Sequence, residues 1–162
     1  MTRWFEDVNE GEVFPLGEHT FTQDAIVTYA KIYDPQYFHV DPEAAQSGPF
    51  GGLVASGAHT AMVGQRKMVD ALFAEAERLR ALGQEPGIGG PSPGGDSIAF
   101  TAPVRPGDTL TYVLTTTGKR ASNSLPGWGL LTNEMTATNQ RGELVYRASF
   151  ASFLALRGDT GL

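Results

Sequence analysis

SGAHTAMVGQRKMVDALFAEAERLRAL, residues 56 to 82, is the longest helical pattern in the chain. Met62, Val69, Leu72, Phe73, Ala76 and Leu79 recur in it at helical spacing and are expected on a common side. Its first turns are rich in Ala and Gly, so the helix can approach another backbone or a ligand closely, as a central helix wrapped by a sheet must. The later part, EAERLRAL, reads as more exposed.

On the N-terminal side, Glu12 to Phe21 reads as a short strand. Thr22 is placed to cap a helix with Asp24 in its first turn and Ile26, Val27, Ala30 and Tyr33 as its apolar face. That helix is expected to stop at Asp34, because a proline disfavours helical dihedrals in the residue before it. DPQYFHVDPEAAQSGPFGG, residues 34 to 52, then reads as a loop that Pro35 and Pro42 keep from being helical. On the C-terminal side, GQEPGIGGPSPGG, residues 83 to 95, is dense in Gly and Pro and reads as a connector in preference to a mobile flap. Beyond it the period changes to two: Leu110, Tyr112 and Leu114 alternate with threonines, and Leu144 to Leu154 alternates along the last strand. Asn139 to Gly142 is the expected turn between the last two strands. These elements describe one α+β domain over residues 1–162, without an internal repeat.

Composition excludes several classes of chemistry. The 162 residues include no cysteine, which removes disulfides, thiolate zinc sites, iron-sulfur clusters and a cysteine nucleophile. A formal net charge of -6 with no basic block argues against a nucleic-acid partner. An anionic ligand stays possible, since a few cations at one mouth outweigh a diffuse field; Arg66, Lys67, Lys119 and Arg120 are the candidates, against their being solvated surface charges. The N-terminal MTRWFEDVNEGEVF has no signal-like apolar core, and no run approaches the roughly 20 apolar residues of a spanning helix. A cytoplasmic protein without a membrane partner is expected.

Asp34 and His39 are the most informative polar pair. An ionised carboxylate and an imidazole that titrates near neutrality could together hold a water and remove its proton. Spacing alone is weak support, because Asp before Pro is a common helix terminator. Gly57 adds to it: free N–H groups at a helix start can bind an oxygen that becomes negative during reaction, though Gly57 could equally serve tight packing. His59 lies in the first turn of the same helix, where lining a pocket competes with a structural role, and His19 is assigned none. The three histidines share no metal-site spacing, so no metal is expected.

The segment Tyr33-Asp34-Pro35-Gln36-Tyr37-Phe38-His39, followed by Asp41, Ala44, Ala45 and then Gly52-Leu53-Val54-Ala55-Ser56-Gly57, resembles the hydratase motif of MaoC-like proteins and (R)-specific enoyl-CoA hydratases. That motif has an Asp, a His five residues later and a helix-head Gly eighteen residues after the His, and all of these spacings hold here. Residues 100 to 110, FTAPVRPGDTL, resemble the approach to the strand that follows the helix in this family. The resemblance implies a hot-dog fold, a curved antiparallel sheet around the helix that begins near Gly57, with the segment at 22–33 outside it. It implies that Asp34 acts as general base on a water also held by His39. The water adds to a trans-2-enoyl thioester, and the Gly57 amide stabilises the enolate. Gln36, Phe38, Ser56 and His59 are then the expected substrate-binding residues. No metal or redox cofactor is implied; coenzyme A or phosphopantetheine comes as part of the substrate, and a homodimer is the minimum assembly. Two departures stand out: Gln36, Tyr37 and Phe38 replace the commoner residues between Asp and His, and residues 83–95 are an insert. A hot-dog thioesterase and a non-catalytic acyl-binding or scaffold subunit are the alternatives.

Overall fold

The computed structural model describes residues 3–158, so the ends of the expected 1–162 domain lie outside the described residues. A 3-10 turn at Phe5–Asp7 precedes strand β1 (Val13–Thr20) and helix α1 (Gln23–Tyr33). A one-turn helix, α2 (Tyr37–Val40), and a 3-10 turn (Ala44–Ser47) lead to the long helix α3 (Gly57–Ala81). Strands β2 (Gly94–Phe100), β3 (Thr109–Ala121), β4 (Trp128–Asn139) and β5 (Leu144–Ala155) follow. All pairings are antiparallel, in the order β1-β3-β4-β5-β2. This is the hot-dog architecture, with α3 lying in the curved sheet and α1 beside its first turn.

Local chemistry accounts for the boundaries. Thr22 Oγ1 accepts the Ala25 N–H at 3.2 Å and starts α1, and Asp34 ends it in a non-helical conformation, as the following Pro35 requires. The hairpin turn falls at the expected place: the Gly142 N–H donates to the Asn139 carbonyl, and Gly142 takes a φ of 77°, where a side chain would be strained. The core gathers Leu16, Phe21, Ile26, Leu53, Tyr112 and Met135 between α1, α3 and the β1–β3–β4 part of the sheet. Gly64 lets α3 lie close on that part, because a Cβ there would come within 2.7 Å of the Met135 sulfur and 3.0 Å of the Tyr112 ring.

Four expectations need correction. Residues 34–52 are not free of helix: α2 fits between the two prolines, because each restricts only its own position and the one before it. Tyr33 is exposed and does not belong to the buried face of α1, which is Ile26 and Ala30. In α3 the buried face is Thr60, Ala61, Gly64, Ala76 and Leu79, while Met62 and Phe73 are 54% and 65% exposed. The helix therefore carries a second apolar side that the chain itself does not cover. Finally, Gly94 and Gly95 open an additional strand, β2, at the edge of the sheet. The rest of the 83–95 segment is a connector laced to the end of β5: Gly90 N–H to Phe153 O, Phe153 N–H to Pro91 O and Ala155 N–H to Ile88 O. Among the described residues no helix is long and apolar enough to cross a membrane.

Candidate active site

Three backbone elements meet at the head of α3. Asp34 caps α1, His39 sits in α2, and the extended residues 53–56 run between α2 and the segment before β3. The Val54 N–H donates to Phe38 O at 3.1 Å and the Ala55 N–H to Val104 O at 2.8 Å, which fixes this strip against both neighbours. The result is a pocket of ≈ 590 Å³ walled by Asp34, Gln36, His39, Ser56, Gly57 and Phe100, among others.

Within it both carboxylate oxygens of Asp34 and the Nδ1 of His39 have defined partners. The His39 Nδ1 lies 2.7 Å from the Val54 carbonyl, an oxygen that can only accept, so Nδ1 carries a proton and, in the neutral ring, Nε2 keeps its lone pair. That Nε2 stands 3.4 Å from Asp34 Oδ2. The ring is buried, and Phe38 meets it edge-on with centroids 4.5 Å apart. Asp34 Oδ2 accepts from the Ser56 hydroxyl at 2.7 Å, and Oδ1 accepts from the Gln36 amide at 2.8 Å. The Gln36 and Ser56 bonds, with His39 nearby, hold the Asp34 carboxyl below its ordinary range, so it is ionised at neutral pH. With the ring neutral, a carboxylate oxygen and an imidazole lone pair line one pocket, an arrangement suited to receive both protons of a single water.

The third component is the head of α3. Ser56 is its N-cap: its Oγ accepts the Ala58 N–H at 3.3 Å while donating to Asp34, so one hydroxyl joins the helix start to the carboxylate. The Gly57 N–H has no acceptor among the described residues and belongs to the pocket wall. Such an N–H at the start of a 25-residue helix carries partial positive charge toward the pocket.

The expected site residues are thus mostly brought together: Asp34, Gln36, Phe38, His39, Ser56 and Gly57 all line the pocket. Gln36 and Ser56, expected to touch substrate, spend their side chains on Asp34. His59 is not brought in. Its ring stacks on Tyr29 at 4.3 Å and meets Phe21 edge-on at 5.0 Å, between α1 and α3 and outside the pocket wall. Burial pushes its pKa down to about 4, and its Nδ1 has no partner.

The four candidate cations lie away from the pocket wall. Arg66 pairs with Asp70, and Lys119 Nζ donates to the Phe5 and Val8 carbonyls. Arg105 was not singled out from sequence, yet its guanidinium donates to the carbonyl of Phe50, a pocket residue, at 2.7 Å. Phe50, Phe100 and residues 101–104 also line the pocket, although none of them was among the expected site residues.

Comparisons with known proteins identify the relatives of the chain. The family model of the MaoC like domain matches residues 9–127. The structure is similar to that of a MaoC-like dehydratase from Rhodospirillum rubrum, 33% identical, with a TM-score of 0.74 over 95% of this chain and 97% of that one. The chain is 28% identical over 142 residues to the uncharacterized protein YdeM of Bacillus subtilis, covering 87% of this chain and 91% of that protein. An (R)-hydratase from A. caviae involved in PHA biosynthesis shares the fold, with 19% identity and a TM-score of 0.59 over 93% and 98% of the two chains. The chain belongs to the MaoC-like family.

Proposed function

We propose that this member of the MaoC-like family hydrates a trans-2-enoyl thioester to the 3-hydroxyacyl thioester, and catalyses the reverse dehydration. The observation that carries the reading is the approach of Asp34 Oδ2 and His39 Nε2 to 3.4 Å, beside a Gly57 N–H with no acceptor among the described residues. A water donating one proton to each acceptor turns its lone pair outward, toward the β-carbon of a bound enoyl group. Asp34 takes one proton as the oxygen adds. Charge moves through the conjugated system to the thioester oxygen, where the Gly57 N–H receives it. The proton taken by the pair is returned to the α-carbon, so H and OH have added across the double bond and the site is restored. Every step is a proton transfer or an addition to a polarised alkene, so the reading calls on no metal or redox group. Coenzyme A or phosphopantetheine enters as part of the substrate.

The same reading includes a homodimer. Met62 and Phe73 on α3 and Ile98 on the edge strand β2 are exposed apolar side chains. Paired sheet edges and covered apolar faces are the usual remedies for both features, and a second copy supplies them by symmetry.

Turnover of short, medium and branched trans-2-enoyl-CoA thioesters, followed by loss of enoyl absorbance, tests the activity. Hydration of a member of the panel is the expected result. Release of free thiol from saturated acyl-CoA without enoyl hydration would replace this reading with a thioesterase.

A further inference from the structure

We propose that Phe100 sets the length of acyl group the site accepts, standing as a partition between the Asp34 pocket and the larger groove beside it. The inference rests on the acyl-thioester reading above. Phe100 pairs with Tyr146 and Ile98 with Ala148 across β2 and β5, and paired residues share one face of a sheet. Tyr146 and Ala148 belong to the core, so the Phe100 ring faces inward, over the head of α3.

The ring is in close contact with that head. A Cβ added to Gly57 would lie 2.7 Å from Phe100 Cε2 and 2.9 Å from Cδ2, so only a glycine leaves room for the ring there. On its other side the ring leans on Tyr146, with centroids 5.7 Å apart and planes inclined by 30°. Phe100 lines the ≈ 590 Å³ pocket that holds Asp34 and His39. Tyr146 lines the ≈ 710 Å³ groove, together with Ala61, Met62 and Ile98. The aromatic pair is therefore a shared wall.

The consequence follows from the position of the reacting atoms. A thioester oxygen on the Gly57 N–H and a β-carbon facing the Asp34 and His39 acceptors leave the distal acyl carbons directed along the first turns of α3, where Phe100 stands. Short acyl groups end before the ring, and long ones need it displaced.

The test compares wild type, Phe100→Ala and Phe100→Leu, each checked for fold by circular dichroism and for assembly by light scattering. Binding of saturated butyryl-, octanoyl- and dodecanoyl-CoA is titrated, and kcat/KM is measured on the matching 2-enoyl thioesters. Because each newly buried methylene strengthens binding severalfold, Phe100→Ala is expected to improve the dodecanoyl-to-butyryl affinity ratio by about tenfold or more. Phe100→Leu moves the same ratio less, in the same direction, and guards against a misfolded Ala variant. An unchanged ratio, or an equal loss at every length, overturns the partition. Binding without turnover in wild type overturns the hydratase reading alone, with the partition still judged on the affinity ratio. If no thioester binds to any of the three proteins, both are overturned.

Discussion

The two ends of the α3 helix face differ in how much of their chemistry the single chain completes. Around Asp34 and His39 the chain itself orients the polar atoms: Ser56 and Gln36 donate to the carboxylate, and the Val54 carbonyl accepts the Nδ1–H of the imidazole. Around Met62, Phe73 and Ile98 the apolar groups are exposed, and edge strand β2 has one neighbour only. A built polar site tolerates little change, because removing one partner leaves the others unpaired in a poorly solvated setting. An uncovered apolar face is indifferent to small changes until a partner arrives, and then a single charge is enough to oppose it.

The sharpest way to break this contrast is at the polar end. Asp34→Asn keeps the shape and removes the base, and His39→Ala removes the second acceptor. Each is expected to lower kcat by about a hundredfold to ten-thousandfold while the protein stays folded, as read from enoyl absorbance and circular dichroism. Retained turnover in both would sink the acid-base roles.

At the apolar end, Phe73→Glu places a charge on the exposed side of α3. The expected outcome in light scattering is a shift of the assembly from dimer to monomer with the far-ultraviolet spectrum kept. A variant that stays dimeric would move the interface elsewhere.

A smaller effect should appear in the pH profile. The Gln36 and Ser56 bonds lower the Asp34 pKa, so base activity is present above that pKa and lost as pH falls through it. Gln36→Leu deletes the first of these bonds, the pKa rises toward the ordinary value, and the acid limb of kcat/KM moves to higher pH. An acid limb at the wild-type position would show that the Gln36 bond does not act on the base.

The least effect concerns stability. His59 has a pKa of about 4 in the folded chain against 6.5 when unperturbed, so between those values the unfolded chain binds the extra proton. Its share of stability is complete above pH 6.5 and declines as pH falls, by about 2 kcal/mol at pH 5. Urea unfolding of His59→Phe at pH 7 and pH 5 should show a weaker acid loss than wild type; parallel losses would assign the effect to other groups.

Much of the local structure was legible in the residues. Thr22, Asp34 and Pro35 bound α1 through capping and proline sterics, and Gly142 marks the last hairpin, all effects that act within a few positions. The spacing of Asp34, His39 and Gly57 was legible for a related reason: the Asp34 and His39 acceptors and the Gly57 N–H come from one continuous stretch. What was misread depends on neighbours distant in the chain. Periodicity reports that α3 has apolar sides, but which of them the sheet covers is set by Gly64 lying against Met135 and Tyr112. Ile98 and Phe100 follow a run of glycines and carry little pattern of their own, so β2 becomes a strand only by pairing with β5.

The amino-acid sequence by itself thus determined the ends of α1, the head of α3, the last hairpin turn and the spacing of the candidate chemistry, because capping, proline geometry and short spacings are local. Only the tertiary structure decided that His39 presents Nε2 and not Nδ1 to the pocket, that Ser56 and Gln36 serve Asp34, that His59 is packed away on Tyr29, and that Phe100 closes over Gly57. Each of those depends on a partner brought near by packing, and directional contacts of that kind leave no spacing to read in the chain.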